Sequence, residues 1–175
     1  EGGGVMADWL MHAATACGFP AQATSIPGVA QRTGATTYYL EIFPVQRGQL
    51  GGREPVMSLT ASPGNVDVMV ASELLEAGRA LQNGYVSPER TTLIASTHRI
   101  YATVEKMQMA DGRFPEERVL AAARQLAKHA VLFDMPRMAE ESGTVISAVL
   151  FGAMAGSGAL PLPREACEAA IRRSG

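Results

Sequence analysis

Three stretches of this 175-residue sequence carry the residue types that chemistry needs. The first is Gly2-Gly3-Gly4, which runs into a helical pattern. Glycines let backbone N–H groups approach an anion, and a helix N-terminus adds partial positive charge, so a phosphate or carboxylate fits such a turn. The same glycines can equally serve only to make a tight turn. The second stretch is Pro27-Gly28-Val29-Ala30-Gln31-Arg32-Thr33-Gly34, a loop with one arginine between two glycines. A guanidinium there can pair with a carboxylate or phosphate in fork geometry, or simply be solvated. The third is a set of residues just after apolar runs: Glu73, and Ser96-Thr97-His98. In a parallel sheet the carboxyl ends of strands face the ligand crevice, which makes these four strand-end candidates. A structural role is equally open to them, and Glu73 can cap the helix that starts beside it. His12 flanks a helical apolar face, and His129 is expected to end a helix, where a cation suits the dipole.

Other chemistries find no support. There is no G-x-S-x-G elbow and no H-E-x-x-H pair. The two cysteines, Cys17 and Cys167, stand far apart with no C-x-x-C, which argues against zinc or iron–sulfur ligation within the chain. No residue is assigned as catalytic, and no metal site is expected. With 15 Lys plus Arg against 17 Asp plus Glu, the net charge of −2 offers no basic face for nucleic acid or a membrane surface. The charged share is 18%, below the usual figure of about 25%, and there are 9 Met, so part of the surface is expected to be covered by another polypeptide. Val145–Ala155 is too short for the roughly 20 residues of a membrane span. No signal peptide is visible, and a reducing cytoplasm is expected.

The elements that position these residues follow from periodicity. Val5–Cys17 has helical spacing and stops at Gly18. Ala21–Ile26 is short and mixed. Thr36–Phe43 is β-branched and aromatic, a strand, and Val56–Leu59 reads as another short one. Buried strands are expected at Val66–Ala71, Thr91–Ala95 and Ala130–Phe133, with helices at Glu73–Gln82, Glu116–Lys128 and Met135–Ser142. Thr144–Ala155 reads as an apolar helix buried on most sides, and Arg164–Arg173 as the last helix. This rhythm predicts an α/β, Rossmann-like, doubly wound and mainly parallel sheet with helices on both faces, in a single domain over residues 1–175. A start at Glu1 with no strand ahead of the glycines reads as a fragment of a longer chain.

Taken together, the glycine-rich start into Val5-Met6-Ala7-Asp8-Trp9, the Gln31-Arg32-x-Gly34 loop, and Val66–Glu73 with Glu76-Ala77-Gly78-Arg79 resemble the gamma domain of 2-oxoacid:ferredoxin oxidoreductases. Within that superfamily the chain is most similar to the indolepyruvate oxidoreductase beta subunit. Ala139, Gly143, Gly152, Pro161-Leu162-Pro163 and Ala170-Ile171-Arg172 extend the resemblance over nearly the whole chain. The resemblance implies a subunit that covers an active site held by a partner alpha subunit. Thiamine diphosphate, iron–sulfur clusters and CoA would be used through that partner, with none bound here, and ferredoxin would meet the complex. It also implies that Gln31, Arg32, Thr33 and Gly34 face substrate or CoA. The family more usually has Arg-Gly-Gly where this chain has Arg32-Thr33-Gly34. The alternatives are a stand-alone nucleotide- or phosphate-binding domain using Gly2–Gly4, and a structural module that forms a homodimer in isolation.

Overall fold

The computed structural model describes residues 2–26, 36–98 and 116–174. They divide into two compact units, Glu1–Ala61 with Met154–Gly175, and Ser62–Ala153.

In the first unit, helix α1 (Gly3–Ala16) buries Ala7, Trp9, Leu10, Ala13 and Ala14. It ends where the sequence says it must: Gly18 has φ of 73°, and the Gly18 and Phe19 N–H groups donate back to the Thr15 and Ala14 carbonyls. Only glycine adopts that left-handed turn at little cost. Strands β1 (Ala21–Ile26) and β2 (Thr37–Ile42) follow and pair antiparallel, from Ala21 opposite Ile42 to Ile26 opposite Thr37. Their two faces differ. Tyr38 belongs to the face that meets α1, which packs on both strands. Gln22, Thr24, Tyr39 and Glu41 share the other face, by the period-2 alternation of side chains.

That second face holds the stretch expected to be a strand at Val56–Leu59, which forms none. Its backbone is held by side chains instead of a ladder. Gln22 donates to the Ser58 carbonyl at 2.9 Å, Thr24 to the Leu59 carbonyl at 2.7 Å, and the Ser58 N–H to the Glu41 carboxylate at 2.8 Å. Val56 and Leu59 are left exposed. The last helix of the chain, here α6 (Arg164–Ser174), also packs against α1. Glu168 binds Arg164 and Arg172 one turn either side, at 2.7 and 3.1 Å. These pairs are exposed and screened by water, so they add little to stability.

The second unit is a three-stranded parallel sheet in the order β3 (Val68–Ala71), β4 (Thr92–Ser96), β5 (His129–Phe133). Val68 lies beside Thr92, and Thr92 beside His129. Crossover helices α2 (Leu74–Gln82) and α3 (Glu116–Leu126) flank it and pack on each other. This is the α/β, Rossmann-like arrangement that the strand–helix rhythm predicts. His129 opens β5 rather than ending the preceding helix. Helix α3 stops two residues earlier than its periodicity suggests, and the Lys128 N–H already turns back to the Thr91 carbonyl. Every residue of β4 is buried, as a central parallel strand requires. The core around it is alanine-rich, with Ala71, Ala77, Ala80, Ala95, Ala123 and Ala127 packed about Leu93 and Val86. Small side chains let the helices sit close to the sheet, so the few large residues carry the packing.

Helices α4 (Met135–Glu141) and α5 (Ile146–Gly156) complete the chain, α5 running from the second unit into the first. Ser147, Leu150, Phe151 and Met154 form the buried stripe of α5, while Gly152 and Gly156 are exposed. The other five residues of the helix are half-buried, so it is covered on most sides, as its apolar sequence predicts.

Leu93 is fully buried at the centre of this core. Leu93→Ala is expected to lower stability by about 2–5 kcal/mol, since alanine neighbours cannot collapse into the space. Urea denaturation of the two chains measures the difference.

Candidate functional site

The carboxyl edge of the parallel sheet gathers the strand-end residues. The chain leaves β3 through Ser72 and Glu73 into α2, leaves β4 through Thr97 and His98, and leaves β5 through Asp134 into α4. Backbone bonds tie these exits together. The Leu74 N–H donates to the His98 carbonyl at 3.0 Å, and the Thr97 N–H to the Phe133 carbonyl at 2.9 Å. Ser96, fully buried, accepts two further N–H groups at its hydroxyl: His98 at 3.2 Å and Met135 at 3.4 Å. Ser96 is thus the fastener of this edge. His98 is exposed and Glu73 half-buried on the same rim.

Glu73 occupies the N-cap position of α2, but its side chain makes no capping bond there. Its influence is electrostatic. Glu76, one turn on, is half-buried and pairs with Arg79 at 2.6 Å. Burial pushes the Glu76 carboxyl above its ordinary range, against the pull of Arg79, and the neighbouring Glu73 charge adds to the rise. Asp134 is a rim residue that sequence reasoning missed. Its carboxylate caps α4 by accepting the Arg137 N–H at 3.1 Å. The signal was present: an Asp directly after an apolar strand, with a proline at the helix start two residues on.

Gly2-Gly3-Gly4 belongs to the other unit. Gly2 is the N-cap of α1 with φ of 95° and no side-chain capping bond. A Cβ placed on Gly3 would lie 2.6 Å from the Tyr38 ring, and one on Gly4 would lie 3.5 Å from the Tyr38 hydroxyl. The ring therefore lies against the first turn, and close approach gives Gly3 a packing reason to be glycine. Gln31, Arg32, Thr33 and Gly34 lie outside the described residues.

Among the described residues, no group of three or more His, Cys, Asp or Glu is placed to hold a metal ion. A four-thiolate iron–sulfur cluster does not fit this chain, whose sequence has two cysteines. No helix of the described residues is long and apolar enough to cross a membrane.

A parallel sheet with crossover helices and a fastened carboxyl edge defines a Rossmann-like α/β protein, a class that supports many functions. The particular family is given by a family model: the chain belongs to the pyruvate ferredoxin/flavodoxin oxidoreductase family, whose model matches residues 1–174. It is accordingly a component of a 2-oxoacid:ferredoxin oxidoreductase, of the gamma-domain kind. No curated protein and no solved structure matches the chain.

Two outcomes follow from this geometry. Gly3→Ala is expected to destabilise the chain while Tyr38 is present. In a Tyr38→Ala background the same change becomes neutral or stabilising, because only helix propensity remains, at most about 1 kcal/mol. A double-mutant cycle in urea reads that reversal of sign. Glu76 has its folded pKa raised, so the native state holds its proton longer than the unfolded chain does. Stability from this group is fully present below the ordinary Glu range and falls as pH climbs through the window above it. Glu76→Gln is expected to flatten that part of the stability–pH curve, measured by denaturation from mildly acidic to neutral pH. An unchanged slope would assign the trend to other groups.

Proposed function

We propose that this chain is the non-cofactor subunit of a thiamine-dependent 2-oxoacid:ferredoxin oxidoreductase of the indolepyruvate type, forming one cover of an active site held by a partner alpha subunit. The family match over residues 1–174 carries the reading. The cysteine count supports its division of labour. With two thiols in the chain, the iron–sulfur clusters of the complex belong to the partner, as does the thiamine diphosphate that supplies the acyl-carrying chemistry when bound. CoA and ferredoxin would be engaged by the assembled complex, in the cytoplasm.

Within this reading the chain contributes surface and positioning. Arg32, with Gln31, Thr33 and Gly34, presents a planar donor fork suited to the carboxylate of a 2-oxoacid or a phosphate of CoA. The rim of Glu73, Thr97 and His98, fastened from beneath by the buried Ser96, is the second candidate surface, because the carboxyl edge of a parallel sheet is where such folds place ligands.

Co-expression with a candidate alpha subunit tests the assignment. Dye reduction driven by indolepyruvate, with thiamine diphosphate and CoA present, is expected only when both chains are present. A stable pair that reduces the dye with another 2-oxoacid but not with indolepyruvate would keep the subunit role and replace the substrate. Arg32→Ala is expected to weaken activity of the complex at least tenfold, about 1.4 kcal/mol of transition-state binding, while this chain's melting temperature stays the same. Unchanged steady-state kinetics would remove Arg32 from the ligand surface.

A further inference from the structure

The two cysteines, distant in sequence, lie on helices that pack together. Cys17 is the C-cap of α1 and keeps helical dihedrals, φ −80° and ψ −4°, with its N–H donating to the Ala13 carbonyl at 3.1 Å. It therefore prolongs the stripe of Leu10, Ala13 and Ala14, all three buried, by the spacing of seven, four and three residues. Cys167 sits in the first turn of α6, on the buried stripe that continues with Ala170. α1 packs against α6. A disulfide needs Cβ atoms roughly 3.5–4.5 Å apart, which only residues facing each other across such a helix contact can reach. Cys167 is buried and Cys17 only partly so. Burial pushes the Cys167 thiol up, and the charge of a Cys17 thiolate adds to the rise, so the two sulfurs lie within electrostatic reach of each other.

We propose that Cys17 and Cys167 are a redox pair that a hydroperoxide converts into an intrachain disulfide, fixing α6 to α1. The more accessible Cys17 reacts first. Its thiolate attacks a peroxide oxygen, the O–O bond breaks, and Cys17 becomes a sulfenic acid as water leaves. The Cys167 sulfur then attacks the Cys17 sulfur, the S–O bond breaks, and the departing hydroxide takes the Cys167 proton as a second water. Both thiols are oxidised by two electrons in all, and one hydrogen peroxide is reduced to two waters. No residue of the carboxyl rim takes part, so the pair stands or falls independently of the proposed function.

The test treats the chain with hydrogen peroxide in native buffer, then denatures it and labels free thiols with a maleimide before mass spectrometry. The reduced chain is expected to take two labels. The oxidised chain is expected to take none, to weigh two hydrogens less, and to yield one peptide pair joining Cys17 to Cys167. Cys167→Ala keeps an apolar side chain in the buried place and removes the resolving thiol. In that variant a dimedone adduct is expected at Cys17. Retention of both labels, oxygen added at Cys17 with Cys167 still labelled, or a disulfide between two chains would each overturn the proposal.

Discussion

Where the parallel sheet ends, three segments leave it, and N–H groups just beyond the strands need partners outside the ladder. The hydroxyl of Ser96 takes up two of them, His98 and Met135, at the end of a strand that is buried throughout. An apolar residue there would strand the buried Met135 donor, at a cost of about 1–3 kcal/mol, and would leave the His98 N–H to water. The opposite end of the same strand has the same device. Thr91, fully buried, donates its hydroxyl to the Val66 carbonyl at 2.8 Å and accepts the Ser87 N–H at 3.0 Å. The central strand is thus bracketed by two hydroxyls that close backbone groups on its neighbours. No buried side-chain polar atom among the described residues lacks a partner.

The helix–hairpin unit solves the same problem with different parts. Its two-stranded ladder is too small to satisfy a third segment through the backbone, and the side chains of Gln22, Thr24 and Glu41 do so instead. All three stand on one face because strand side chains alternate. The opposite face is then free to meet α1, where Tyr38 lies against the first turn and admits nothing larger than glycine at Gly3 without moving. One register decision, Gln22 opposite Glu41, therefore fixes both what holds residues 58–59 and what closes over the start of α1.

What could be read in the sequence, and what could not, divides along physical lines. Helix ends were legible because glycine is nearly alone in adopting the left-handed turn, as at Gly18 and at Gly84 with its φ of 72°. The three buried parallel strands were legible as short apolar runs. Ala21–Ile26 was not, since Ala-Gln-Ala-Thr-Ser-Ile has little intrinsic strand character and owes its shape to the partner β2. Val56–Leu59 shows the converse: good strand residues with no ladder edge to join. The strand-end rule points to Glu73, Ser96, Thr97 and His98, and all four lie at the carboxyl edge, with Ser96 buried beneath it as a fastener. The Arg32 loop lies outside the described residues, so its reading stays with the sequence.

The carboxyl rim combines a rigid frame with replaceable side chains. Glu73, His98 and Asp134 stand at three consecutive strand ends on backbone held by Leu74, Ser96 and Met135. None of the three contributes its side chain to the alanine-rich core around Leu93. Substitution at these positions can therefore alter charge and hydrogen-bonding at the rim while the frame beneath keeps its geometry. The one exception is Asp134, whose carboxylate also caps α4, so replacement by Asn or Ser is tolerated better there than replacement by an apolar residue. Donors, acceptors and charges at the rim are thereby held at fixed places. Here the backbone, more than any one side chain, fixes those places.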